Sequence, residues 1–205
     1  MNVAILNYGM GNLTSATMAL EHVGASVEVT NDPALVRVAH AVVLPGVGAF
    51  PKAMEAVRRL GLDELIHERR DAGVPILGIC LGMQLLFDSS TEMGGATGIG
   101  LLPGTVEPLD AAGLKIPQIG WNPVRWREGS VLGGGLGDES PMYHVHSFAV
   151  KPADRSIVAG TATYGNEFVS AVEEGDVFGV QFHPEKSSRD GLALLRNFVN
   201  VGVPV

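Results

Sequence analysis

Several things are scarce in this chain, and each shortage excludes something. It has a single cysteine, Cys80, in 205 residues, so no internal disulfide can form and a reducing compartment fits. Basic residues are few: 14 Lys and Arg against 22 Asp and Glu leave a formal charge of −8. That sign argues against nucleic acid or an anionic membrane surface as a partner. Charged residues of all kinds reach only 18%, below the roughly 25% of ordinary soluble domains. Part of the surface is therefore expected to be apolar and covered by a partner. No apolar run approaches the ~18 residues of a membrane span. The opening Met1-Asn2-Val3-Ala4-Ile5-Leu6 has no basic region and reads as a strand, so no signal peptide is expected and the expected location is cytoplasmic. Metal-ligand spacing is missing too. His144 and His146 alternate on one strand without a third ligand, so neither a metal nor another cofactor is expected.

Hydrophobic residues, by contrast, make up 46% of the chain, enough for a well-buried interior, and the length suits one domain over 1–205. Short apolar runs at 3–6, 26–30, 41–44 and 75–79 alternate with helical spacings. Leu13, Ala16, Leu20 and Val23 predict a helix closed by Gly24. Asp32-Pro33 opens a short helix, Pro51 opens another, and 60–72 reads as a further one ended by Gly73. Such β-α alternation with short connections predicts a parallel sheet with helices on both faces. The expected fold is α/β: a single flavodoxin-like three-layer domain whose central, mostly parallel sheet carries added antiparallel strands. Ligands in such sheets bind beyond the strands' carboxyl ends. Glycine-bearing turns at 7–12, at 45–50 and around Cys80 all lie on that rim. Gly9-x-Gly11 is not a dinucleotide fingerprint, because position 14 is Thr.

From Ser90 onward glycines punctuate a loop, and strands are expected at 105–109, 123–126, 142–150, 156–164 and 168–173, antiparallel or at an edge. The stretch 116–122 reads as a polar and aromatic loop, and the glycine-rich 129–137 as a mobile surface loop. A last buried strand over 177–182 ends in His183-Pro184-Glu185, and Leu192, Leu195 and Val199 face inward on a closing helix.

Cys80 sits where an apolar strand meets a helix signalled by Leu81, Leu85 and Leu86, with Gly78 and Gly82 two residues to either side. Glycines so placed allow a sharp strand-to-helix turn and close approach of a substrate. A helix N-terminus favours negative charge on the sulfur, and the next N–H, that of Leu81, is placed to meet an oxyanion. The same pattern fits an ordinary buried cysteine. His183 supplies a second signal. A residue before proline is held extended, and residues i and i+2 of an extended chain share a side. Glu185 can then orient the His183 imidazole as a base for the thiol. His22, His40 and His67 fall among charged residues on solvated faces.

Gly78-Ile79-Cys80-Leu81-Gly82-Met83-Gln84, together with Gly179-Val180-Gln181-Phe182-His183-Pro184-Glu185, resembles the triad (class I) glutamine amidotransferases. Four segments are similar, more narrowly, to the glutaminase subunits of imidazole glycerol phosphate synthases. They are Asn7-Tyr8-Gly9-Met10-Gly11-Asn12, Leu44-Pro45-Gly46-Val47-Gly48-Ala49-Phe50, Gly120-Trp121-Asn122 and His183-Pro184-Glu185-Lys186-Ser187. The resemblance implies hydrolysis of L-glutamine to glutamate and ammonia, with Cys80 as nucleophile, His183 as general base and acid, and Glu185 orienting His183. It implies oxyanion donors at Leu81 and the Gly46-Val47-Gly48 peptides, and glutamine held by Gly48, Gln84 and the Ser147 region. It also implies a heterodimer with a (β/α)₈ cyclase subunit that receives the ammonia in histidine biosynthesis. That interface is expected near Trp121, Asn122, Tyr143 and Lys186. Gln118 stands where the family often has His, and His144 where it often has an aromatic. Three other readings stay open: a glutaminase subunit of another pathway, a stand-alone Cys-His hydrolase of the same fold, and a flavodoxin-like binding module with a core cysteine.

Overall fold

A computed structural model describes residues 1–201; the last four positions of the expected 1–205 span lie outside the described residues. The first half of the chain runs β1 (Asn2–Leu6), α1 (Leu13–His22), β2 (Ser26–Thr30), α2 (Pro33–Arg37), β3 (Ala41–Gly46), α3 (Phe50–Arg59), α4 (Leu62–Asp71), β4 (Ile76–Cys80) and α5 (Leu81–Leu85). Next come β5 (Phe87–Ser90), β6 (Ala96–Thr97), β7 (Leu102–Pro108), β8 (Gln118–Trp126), β9 (Glu139–His146) and β10 (Phe148–Pro152). The last elements are β11 (Val158–Tyr164), β12 (Asn166–Glu174), β13 (Val177–Val180) and α6 (Ser188–Val201).

One sheet takes nine of these strands in the order β2-β1-β3-β4-β13-β12-β11-β8-β9. The first five are parallel, and the chain then turns antiparallel through the last four. Alternation along each parallel strand feeds two cores. Val3, Ile5, Ala41 and Val43 meet Leu20 of α1 and Phe198 of α6 on one face. Ala4, Leu6, Val42 and Leu44 meet Val36, Phe50, Met54 and Ile66 of α2 to α4 on the other. Because helices cover both faces, β4 is buried at every position, which is why it reads as an unbroken apolar run. The carboxyl ends of β1, β3, β4 and β13 are neighbours on one rim, as the sheet order requires.

The structure departs from the sequence expectations in several places. Residues 118–122 are not a loop but the start of β8, paired residue by residue with β9 from Gln118–His146 onward. The expected strand over 142–150 is two strands, β9 and β10, broken at Ser147 and placed in different sheets. The helix after Cys80 lasts only five residues. Its end is taken over by the 98–102 segment, where Ile99 N–H donates to the Leu85 carbonyl and Leu101 N–H to that of Leu86. The chain then enters β5, part of a separate sheet ordered β10-β7-β5-β6. The 129–137 loop is pinned. The Glu173 carboxylate accepts from Ser130 Oγ and from the N–H groups of Val131 and Leu132, while Asn197 donates to the Leu132 and Gly134 carbonyls.

Candidate active site

Cys80 occupies a turn that only glycine neighbours permit. Its backbone sits at φ 56° and ψ −113°, a sparsely populated conformation for a residue with a side chain. A Cβ on Gly82 would lie 1.7 Å from the Leu44 carbonyl oxygen, and one on Gly78 would lie 2.7 Å from the backbone of Met83. Close passage of α5 over β3 and β4 therefore fixes the Gly-x-Cys-x-Gly pattern and holds the sulfur at the rim.

On the neighbouring strand end, His183 is extended (φ −103°, ψ 96°), but Pro184–Lys186 form a 3₁₀ turn. The expected same-side argument for an extended His-x-Glu is thus not what joins the pair; the turn brings the carboxylate round instead. His183 Nδ1 and Glu185 Oε1 are 2.9 Å apart, with both side chains almost fully buried. The His183 backbone is fixed at both ends. Its N–H donates to the Tyr143 carbonyl, and its carbonyl accepts from Ser187 Oγ, which in turn accepts from the Tyr143 N–H. Burial disfavours the charged imidazole. The Cys80 sulfur and the Glu185 carboxylate, through hydrogen bonding and charge, outweigh that cost and raise its pKa to about 10.

Cys80 and His183 line one cavity of about 280 Å³, near the low end of small-molecule sites, roughly 300–1,000 Å³. Val47, Gly48, Leu81, Gln84 and Ser147 share its wall. Gly46 stands just behind, paired with Cys80 across the sheet and under the Tyr8 hydroxyl, which donates to the Pro45 carbonyl at 2.7 Å. Burial and the nearby Cys80 push the Tyr8 phenol pKa up. Gln84 donates to Gln181 Oε1 at 2.9 Å, and the Gln181 amide reaches Cys80 Sγ at 3.7 Å.

Sequence reasoning missed Glu92 and His146, which also line the cavity. Glu92 comes from the glycine-rich loop and accepts the Phe50 N–H at the start of α3; only tertiary structure brings it in, and no local pattern marks it. The sequence marks His146 only as the strand companion of His144, without a third ligand. His146 Nδ1 lies 2.8 Å from the Phe148 carbonyl oxygen and its Nε2 2.8 Å from Gln118 Oε1, so both ring nitrogens are held by neighbouring oxygens. His144 lies against Ser170 Oγ and the Met142 carbonyl. Burial lowers the pKa of His144 to about 3 and that of His146 to about 4. Among the described residues no cluster of His, Cys, Asp and Glu suits a metal ion.

Of the four residues expected at an interface, Trp121 is 55% exposed and stacks edge-on against Tyr143, its cross-strand partner. Lys186 is exposed. Asn122 is different: it is buried on the opposite face of β8 and donates to the Thr163 carbonyl. Alternation along the strand removes it from the surface.

The same architecture recurs in a crystal structure of a glutamine amidotransferase, with TM-score 0.77 at 18% identity over 98% of both chains. Curated relatives are nearer in sequence. The imidazole glycerol phosphate synthase subunit HisH of Moorella thermoacetica is 50% identical over 96% of this chain and 93% of its own. The HisH subunit of Herpetosiphon aurantiacus is 47% identical over 98% and 95%. The family model for glutamine amidotransferase class-I matches residues 4–201, so the chain belongs to the class-I glutamine amidotransferases.

Proposed function

We propose that this chain, one catalytic domain over 1–205, is the glutaminase subunit of an imidazole glycerol phosphate synthase, acting through Cys80, His183 and Glu185. The observation that carries the reading is His183, held 2.9 Å from Glu185 and facing the same cavity as a cysteine on a strained strand-to-helix turn. The elevated pKa of His183 favours its imidazolium form, the proton donor that the departing ammonia needs, and the nucleophile is the Cys80 thiolate. The thiolate attacks the side-chain amide carbon of glutamine, and the oxyanion is met by N–H groups of Leu81 and the Gly46-Val47-Gly48 turn. The imidazolium gives its proton to the departing ammonia, leaving a γ-glutamyl thioester and a neutral imidazole. That imidazole takes a proton from water, which attacks the thioester and releases glutamate and the thiolate. Gln84 and Ser147 hold the substrate, and Glu92 offers a carboxylate to its α-ammonium group.

Ammonia that escaped into water would be protonated and lose its nucleophilicity. The product must therefore pass to an acceptor in a docked partner; the relatives are named as subunits of imidazole glycerol phosphate synthase, and the family resemblance implies that the partner is a (β/α)₈ cyclase subunit. Trp121, Tyr143 and Lys186 are the proposed docking residues. Glutamate release is the assay, for the chain with and without such a cyclase subunit. Cys80→Ala is expected to lose about three orders of magnitude or more, and substantial activity surviving that change would refute the assignment. A stand-alone hydrolase would instead turn over fully without the partner.

A further inference from the structure

Among the described residues, Glu185 Oε2 is the one carboxylate oxygen that is buried without a protein hydrogen-bond partner. Its side chain is only 3% exposed, and the other oxygen already serves His183. A buried carboxylate oxygen left unbonded is strongly disfavoured. Beside it lies a small cavity of about 10 Å³, walled by Glu185, His183, Asn12, Pro45, Gly46 and Val47. That is the space one water molecule needs, ~10–15 Å³ on a water-probe measure. Asn12 is the N-cap of α1 and its Oδ1 accepts from the Ser15 N–H at 3.3 Å. With the oxygen committed to the helix, the Nδ2 donors are what its amide can offer the cavity.

We infer that this cavity holds one ordered water, which donates to Glu185 Oε2 and accepts from Asn12 Nδ2, making Asn12 a positioning residue for the His183–Glu185 pair. Turning the carboxylate about its last torsion would cost this bond, so Oε1 stays on His183 Nδ1. The Asn7–Asn12 turn thereby acquires a role that the chemistry at Cys80 does not otherwise give it. The inference rests on the Cys80-His183-Glu185 reading above.

Asn12→Asp tests it, because aspartate caps the helix as well as asparagine does but replaces the donor with an acceptor. Asn12→Ser also keeps the cap while withdrawing the amide from the cavity. Assayed with the cyclase subunit, both variants are expected to lose about tenfold or more in kcat, with KM for glutamine and the unfolding midpoint nearly unchanged. Alkylation of Cys80 by iodoacetamide in the free chain should slow in parallel and change its pH profile. A high-resolution crystal structure should show a water within hydrogen-bond distance of both Glu185 Oε2 and Asn12 Nδ2. Wild-type kcat and alkylation profile in both variants, or density placing no water there, overturns the inference alone. A wild-type Cys80 no more reactive than a free thiol overturns the catalytic reading and takes this inference with it.

Discussion

His183, His144 and His146 stand within one region of the molecule and are driven in opposite directions. The pKa of His183 is raised from 6.5 to about 10, so its partners stabilise the fold fully below about pH 6.5, and that contribution is lost as pH rises through 10. His144 and His146 fall to about 3 and about 4. The unfolded chain binds protons that these two refuse, so their contribution is present above pH 6.5 and is lost as pH falls toward 3. Urea midpoints measured against pH should therefore decline on both sides of neutrality. His144→Phe keeps the edge-on contacts with Phe168 and Phe182 that the imidazole now makes and should make the acid limb shallower; an unchanged acid slope would sink this account. The residues of the site were unequally visible in the sequence. Cys80 with its glycines, and His-Pro-Glu after a buried strand, are local patterns tied to local geometry. Glu92 joins them only through the path of a glycine-rich loop, which no spacing rule records.

At the scale of elements, the turn from β4 to α5 decides where chemistry can occur. Two glycines with different constraints separate space from strain. A side chain at Gly82 collides with the Leu44 carbonyl, a backbone atom that cannot step aside, whereas one at Gly24 meets nothing within 4 Å and is disfavoured only by its φ of 98°. Gly82→Ala should destabilise the fold by about 3 kcal/mol or more, and Gly24→Ala by about 1 kcal/mol. Equal losses in urea denaturation would show that close passage of α5 is not the constraint. The parallel strands were legible because burial on both faces writes an unbroken apolar run, as at 76–80. β8 was not, since its exposed Ile119 and Trp121 alternate with buried Gln118 and Asn122, a mixture that reads as loop until β9 is seen beside it. The two-residue β6 and the rest of the second sheet depend on contacts distant in sequence, and the 129–137 loop owes its order to Glu173, some forty residues away.

For the whole molecule, the low charge content and the exposed apolar residues belong to one problem. Ile119 is 63% exposed and Trp121 55%, on the outer face of a strand whose first residue, Gln118, holds His146 in the cavity wall. An indole left half in water and braced edge-on by Tyr143 is the kind of rigid aromatic that anchors an interface. Docking there would place the partner over the same rim that carries Cys80 and His183, which is where ammonia must leave. Trp121→Ala should weaken binding of the cyclase subunit about tenfold or more, measured by titration calorimetry, while the alkylation rate of Cys80 in the free chain stays at the wild-type value. Because the anchor is apolar, the affinity should change little between low and moderate salt; a steep salt dependence would move the main contact to the charged residues around Lys186. Unaltered affinity in Trp121→Ala would place the partner on another face, and the ammonia would then need a path out of the cavity that does not cross the β8–β9 rim.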